Sequence, residues 1–220
     1  GEIENLCNIS EPTSGVITNI GKAHLEGFGS FEGVIKAKTE LYTFLKESNG
    51  TTFVNSLDKL LVKQSSENIV VTCGISENSN FNFKVIETFP FITIKLNDEI
   101  IKSNLIGKFQ IDNIATAACI GNFYNISDKN IKLGIENYKP KNNRTEIVET
   151  EKNFIILDAY NANPSSMNSM IDSFAELNKA NKLCILGEMR ELGSYSEEEH
   201  ELLVQKMKTL NIESIFVGKE

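Results

Sequence analysis

The sequence predicts an α/β protein of two successive units, and three observations predict it. Short apolar runs alternate with amphipathic helical patterns over the first 75 residues and again after residue 150. A β-rich stretch without helical periodicity, residues 81–105, lies between them, and the polar, proline-bearing segment Lys139-Pro140-Lys141-Asn142-Asn143 marks a boundary. The expected organisation is a unit of residues 1–142, mainly a parallel sheet plus a small antiparallel meander, followed by a Rossmann-like unit of residues 143–220.

In the first unit, Val16-Ile17-Thr18-Asn19-Ile20, Thr52-Phe53-Val54-Asn55 and Ile69-Val70-Val71-Thr72-Cys73-Gly74 read as strands. A helix over residues 31–45 joins the first two, because Phe31, Val34, Ile35, Leu41, Tyr42 and Leu45 form one apolar stripe. A shorter helix over 57–64 joins the last two. The runs Phe83-Lys84-Val85-Ile86, Phe91-Ile92-Thr93-Ile94-Lys95-Leu96 and Ile100-Ile101 are joined by Phe89-Pro90 and Asn97-Asp98, the pattern of a meander. Helices over 111–124 and 127–138 complete the unit.

The second unit opens on a fresh strand pattern and then runs strand 154–157, helix 165–177, strand 183–186, helix 196–210 and strand 214–217. Ser196 with Glu199 three residues on has the spacing of a capping box for the last helix.

Composition sets bounds on function. A chain of 220 residues that is 40% hydrophobic can bury one large core or two modest ones. A net charge of −8 with no clustered basic run argues against nucleic acid or an anionic membrane as the main partner. No apolar run approaches the roughly 20 residues of a membrane span, and the first residues lack the pattern of a signal peptide, so a cytoplasmic location is expected. Cys7, Cys73, Cys119 and Cys184 are widely spaced with no Cys-x-x-Cys pair, which suggests neither zinc nor a disulfide framework, and most are expected as small apolar core residues.

Two places stand out for chemistry. Lys38 falls in the middle of the apolar stripe of helix 31–45, where desolvation disfavours the ammonium and leaves a more nucleophilic amine. The bland alternative is a lysine whose stem packs on the core while its head reaches water. Phe154-Ile155-Ile156-Leu157 is closed by Asp158, and Asn163-Pro164-Ser165 then opens a helix. That order puts Asp158 and Asn161 at the carboxyl edge of a parallel sheet, where open α/β sheets bind ligands.

Four stretches in order carry a resemblance: Thr18-Asn19-Ile20-Gly21-Lys22-Ala23-His24-Leu25-Glu26 with Lys38; Gly107-Lys108-Phe109-Gln110-Ile111-Asp112-Asn113-Ile114-Ala115; Asp158-Ala159-Tyr160-Asn161-Ala162-Asn163-Pro164; and Gly187-Glu188-Met189-Arg190-Glu191-Leu192-Gly193. They resemble the motifs of the Mur ligases, most closely the MurF type, over nearly the whole chain. The resemblance implies a central ATPase-type domain followed by a Rossmann-like C-terminal domain. It also implies an ATP-dependent ligase of peptidoglycan synthesis that joins D-alanyl-D-alanine to UDP-MurNAc-tripeptide through an acyl phosphate. ATP and Mg2+ are the implied cofactors. The family's Gly-rich P-loop is expected upstream of Gly1, since no G-x-x-x-x-G-K-[ST] occurs in the sequence, and both ends read as cut, so the chain is expected to be a fragment that is inactive alone.

The resemblance also assigns roles. Lys38 matches a lysine that is commonly carbamylated and helps hold magnesium, and His24 matches another ligand of the same ion. Asn113 matches an asparagine that hydrogen-bonds adenine, a fit for a carboxamide's paired donor and acceptor; otherwise it is a polar residue on a helix surface. Phe109 and Gln110 depart from the family's His-Asn. Arg144, in Arg144-Thr145-Glu146, matches an arginine that reaches the γ-phosphate, although an isolated arginine near a linker is otherwise a solvated charge. Asp158 matches the residue that contacts the ribose hydroxyls, with helix capping as its alternative, for which Asn163 is better placed. Tyr160 and Asn161 are expected on the nucleotide or acceptor side. The Glu188 to Gly193 stretch is assigned to the site without individual roles, and His200 is expected at the surface. Related scaffolds are those of folylpolyglutamate and cyanophycin synthetases, which the Tyr-Asn-Ala-Asn-Pro and Glu-Met-x-Glu-Leu-Gly stretches disfavour. A non-catalytic α/β binding or scaffold module is the rival from another class.

Overall fold

The computed structural model describes every residue except Ala23, His24, residues 76–80 and Glu220, with only the backbone described at Phe81 and Asn82. The chain opens with helix α1 (Glu2–Ser10), which periodicity did not announce because Cys7 alone of its residues is buried. Strand β1 (Ser14–Val16) follows, then the short α2 (Leu25–Phe28) and the long α3 (Phe31–Glu47). Ser30 caps α3, its Oγ accepting from the Gly33 N–H at 3.1 Å. The stripe read from the sequence is real, with Val34, Tyr42 and Leu45 buried along α3.

Strand β1 ends earlier than the expected 16–20. It pairs with a neighbour only through Val16, after which the chain leaves the sheet. Ile17 and Ile20 are apolar because they anchor this departing loop in the core, not because the strand continues. Strands β2 (Thr51–Asn55) and β3 (Ile69–Gly74), joined through α4 (Lys59–Gln64), and the two-residue β4 (Phe81–Asn82) complete a parallel sheet of order β1-β2-β3-β4.

The expected meander is present as β5 (Lys84–Glu87), β6 (Thr93–Leu96) and β7 (Glu99–Lys102), all antiparallel. Helices α5 (Gln110–Phe123) and α6 (Asp128–Asn137) follow. Helix α5 is buried on two sides. Ile114, Ala115 and Ala118 pack with Ile92, Ile94 and Ile101 of the meander, while Cys119 packs with Phe53 and Cys73 of the parallel sheet. Small residues on both faces allow that double packing, since they let two layers approach one helix.

The structure corrects the cysteine reading at this contact. Cys73 of β3 and Cys119 of α5 form a disulfide, with Cα atoms 5.8 Å apart and a sequence separation of 46. The pairing follows from the packing of α5 on β3, which no local spacing records. Cys7 and Cys184 are buried free thiols, as expected for small core residues.

Beyond residue 143, β8 (Glu146–Glu149) and β9 (Phe154–Leu157) form an antiparallel hairpin, so among the described residues Asp158 closes a strand paired antiparallel with its sequence neighbour and not the parallel strand expected. Then come α7 (Pro164–Glu176), β10 (Leu183–Gly187), a 3-10 turn over Gly193–Tyr195, α8 (Ser196–Leu210) and β11 (Glu213–Val217), with β10 and β11 parallel. Asn163 caps α7 as read: its Oδ1 accepts from the Ser166 N–H at 3.0 Å and its own N–H donates to Ser166 Oγ at 3.3 Å. The capping box at Ser196 does not form. Ser196 is itself the first helical residue, Tyr195 occupies the cap, and the preceding 3-10 turn supplies the entry that a serine cap would have supplied. One apolar cluster spans the expected boundary, joining Leu25 and Val34 to Ile171, Met189, Leu192, Leu203 and Met207. Among the described residues no helix is long and apolar enough to cross a membrane.

Candidate active site

Two strand-end loops meet. The segment after β1 is described through Lys22, and the loop after β9 runs over residues 158–163 into α7. The Lys22 N–H donates to Ser165 Oγ at 3.1 Å, and a Cβ on Gly21 would lie 3.0 Å from that same oxygen. Glycine is what permits so close an approach.

On the first edge, Lys38 is half-buried on α3 and its Nζ donates to the carbonyl of Asn19 at 2.9 Å. Desolvation by burial lowers its pKa from the usual lysine value. The amine is thus partly desolvated, as the stripe suggested, with the Asn19 carbonyl and not a carboxylate as partner. His24 lies outside the described residues. Among the described residues no group of three or more His, Cys, Asp or Glu side chains is gathered to hold a metal.

On the second edge, Asp158, Thr145, Arg144 and Tyr160 form one constellation. Asp158 Oδ1 accepts from the Thr145 N–H at 3.0 Å and from Thr145 Oγ1 at 3.3 Å. The Ala159 N–H donates to the carbonyl of Asn143 at 2.8 Å. The linker crosses this edge in an unusual conformation, with φ of 60° at Asn142 and Asn143 and 54° at Thr145. Asparagine tolerates the left-handed region, whereas a β-branched threonine there is strained and persists only where its surroundings fix it. Thr145 is 3% exposed, so its two bonds to Asp158 satisfy donors that water cannot reach.

Held between Asn143 and Thr145, Arg144 is exposed and lays its guanidinium over the Tyr160 ring, 3.7 Å from the centroid. Asn161 follows at the same exposed edge. Asp158 therefore does not cap α7. It uses one oxygen to grip the linker and leaves Oδ2 for something else.

Asn113 is exposed in the first turn of α5, where its Nδ2 donates to Gln110 Oε1 at 2.8 Å. The glutamine that departs from the family pattern thus orients it. The neighbouring Asp112 carboxyl is raised by burial, against a lowering hydrogen bond from Asn55. Gly187 to Gly193 lies against the first edge as well, since the Glu26 N–H donates to the Glu191 carbonyl at 3.1 Å. Within that loop the Met189 N–H donates to His200 Nε2 at 3.0 Å, while His200 Nδ1 lies 2.8 Å from the Ser196 carbonyl. His200 is a brace for the loop and not the simple surface residue expected.

Family models match both halves. The model described as "Mur ligase middle domain" covers residues 1–121, and "Mur ligase, glutamate ligase domain" covers residues 143–220. The chain belongs to the Mur ligase family. It is 30% identical to the UDP-N-acetylmuramoyl-tripeptide--D-alanyl-D-alanine ligase of Bacillus subtilis, over 91% of this chain and 44% of the relative. It is likewise 30% identical to the Escherichia coli protein of that name, over 100% and 51%. Among solved structures, MurF from Thermotoga maritima in complex with ADP matches at a TM-score of 0.84 and 25% identity, covering 100% of this chain and 52% of that one. MurF from Acinetobacter baumannii matches in fold at a TM-score of 0.86 and 24% identity, covering 99% and 49%. The chain spans about half the length of the relatives it matches.

Within this Mur ligase chain, sequence reasoning missed Thr145, Ser165 and the bracing of the Met189 loop by His200. Each acts through a partner brought close by tertiary packing.

Proposed function

We propose that this chain carries part of the site of a MurF-type ligase, in which ATP phosphorylates the terminal carboxylate of UDP-MurNAc-tripeptide and the amine of D-alanyl-D-alanine attacks the acyl phosphate. ADP and phosphate leave. The observation that supports this most is the meeting of the two carboxyl-edge loops at Lys22 and Ser165, with Lys38 on one side and the Arg144–Asp158 constellation on the other. A cleft between two such edges gathers reactants and keeps water from an acyl phosphate.

In this reading residues 1–142 are the central domain and residues 143–220 the C-terminal domain. Arg144 offsets charge on the transferring phosphoryl group, a task suited to a planar cation. The unused Oδ2 of Asp158 accepts from a ribose hydroxyl. Asn113, oriented by Gln110, reads the adenine edge, and Asn161 lines the nucleotide. Lys38, desolvated and within reach of CO2 as a free amine, would hold magnesium as its carbamate together with His24. The ion would supply positive charge at the phosphates. Imidazole is an unusual ligand for that hard ion, so oxygens must supply the rest of the shell. The 220 residues contain no P-loop pattern, so the reading needs the phosphate cradle from outside them. A cytoplasmic site of action follows from the UDP-linked substrate.

The test is phosphate release from ATP by the intact protein, with each substrate omitted in turn. The reading expects release only when both UDP-MurNAc-tripeptide and D-alanyl-D-alanine are present. Release that ignores D-alanyl-D-alanine, or none with the full set, would favour another acceptor or a binding module.

A further inference from the structure

The contact between the two halves has an apolar part and a charged part, and they do different work. The cluster joining Leu25 and Val34 to Met189 and Leu192 supplies attraction, but burial of apolar surface has no direction and fixes no register. The charged part is directional. Lys22 Nζ donates to Glu199 Oε1 at 2.6 Å, across the boundary from the loop after β1 to the first turn of α8.

The two partners are unequal. The Lys22 side chain is 54% exposed and that of Glu199 is 7% exposed. A carboxylate so buried must be paired, and Lys22 is its cation in this structure. Docking with the loop displaced would leave Glu199 desolvated and alone, a cost that an exposed glutamate would escape. The pair therefore penalises other registers more than it strengthens this one. Around it run two backbone contacts that depend on the same register: Lys22 N–H to Ser165 Oγ and Glu26 N–H to the Glu191 carbonyl. These three contacts bracket residues 22–26, the stretch that holds His24.

We propose that Lys22 and Glu199 are positioning residues, an interdomain ion pair that sets the register of the C-terminal half on Lys22 and Glu26 and so fixes where those two residues stand against the Glu188 to Gly193 stretch. This goes beyond the ligase reading, and its test does not depend on that reading.

The experiment is amide hydrogen exchange on the intact protein and on three variants, Glu199→Gln, Lys22→Met and Lys22→Arg. Exchange at the Lys22 and Glu26 amides rises about tenfold or more in Glu199→Gln and Lys22→Met, as expected for loss of a buried charge pair. In Lys22→Arg it stays near the parent, and the amides of β2 and β3 stay protected in every variant. Unchanged exchange at both amides in Glu199→Gln and Lys22→Met overturns the proposal. So does a uniform rise that includes β2 and β3, since the pair would then stabilise the fold without positioning the loop. If Lys22→Met does not fold, Glu199→Gln alone still decides, because it keeps the shape while removing the negative charge on which the pairing rests. Phosphate release plays no part in these readouts, so failure of the ligase reading leaves them intact.

Discussion

The guanidinium of Arg144 lies 3.7 Å from the centroid of the Tyr160 ring, and the grip of Asp158 on Thr145 holds it there. The residue expected to meet a phosphate is thus presented by a strained turn on an aromatic platform and faces solvent. Tyr160→Ala removes that platform and lowers turnover about two- to fivefold, the worth of an exposed cation–π contact, while Tyr160→Phe keeps it. Arg144→Ala lowers turnover by about a thousandfold, and Arg144→Lys does not restore it, because an ammonium offers no planar fork. Steady-state rates of phosphate release check all four variants.

Asp158 grips Thr145, and in the proposed reading it also meets the ribose, two jobs that substitution separates. Asp158→Ala leaves the buried Thr145 N–H and hydroxyl without an acceptor and destabilises the fold by roughly 1–3 kcal/mol. Asp158→Asn keeps an oxygen for Thr145, so its denaturant midpoint stays near the parent while its affinity for nucleotide falls. Denaturation and nucleotide titration together distinguish the two.

Burial holds the Lys38 pKa below its usual value, and the sign of the consequence can be stated. Between the lowered folded pKa and the ordinary lysine pKa the unfolded chain binds the extra proton, so stability rises as pH rises through that window. Lys38→Met raises stability at neutral pH and flattens that slope, as denaturant midpoints against pH will show. Bicarbonate at mildly alkaline pH adds the mass of one CO2 to the parent and not to the variant, which intact-mass measurement will show.

Tyr42 is 2% exposed and its hydroxyl has no hydrogen-bond partner; its approach to the backbone of Ile17 falls short of hydrogen-bond geometry. Removing a stranded hydroxyl costs nothing in contacts. Tyr42→Phe raises stability by about 1 kcal/mol, measured by denaturant unfolding.

Gly33 sits where a Cβ would lie 2.2 Å from the carbonyl oxygen of Phe28, a backbone atom that cannot step aside. Gly33→Ala forces α2 and α3 apart and costs about 1–3 kcal/mol, read as a lower melting temperature despite alanine's better helix propensity.

How much of this was legible in the sequence depends on how local the cause is. The stripe on α3 and the half-burial of Lys38 follow from periodicity within one helix, and the edge position of Asp158 follows from an apolar run closed by a carboxylate. The grip of Asp158 on Thr145 was not legible, because it needs the pairing of β8 with β9, in which Glu146 lies opposite Leu157. The early end of β1 was hidden because Ile17 and Ile20 are apolar for a loop's reason. The Cys73–Cys119 bond depends on a helix packing across a sheet, and the cap at Ser196 lost to a 3-10 turn that three residues cannot announce. Glu199 read as the partner of a capping box at Ser196, and only the docking of the two halves gives it Lys22 instead.

The claim at the centre of this account is that the edge formed by Arg144, Asp158 and Asn161, together with Asn113, receives the nucleotide. Amide exchange of the intact protein with and without magnesium-ADP tests it most directly. Protection is expected at residues 143–145 and 158–161 and in the first turn of α5, around Asn113. Nucleotide binding that leaves residues 143–145 and 158–161 exchanging as in the free protein would contradict it.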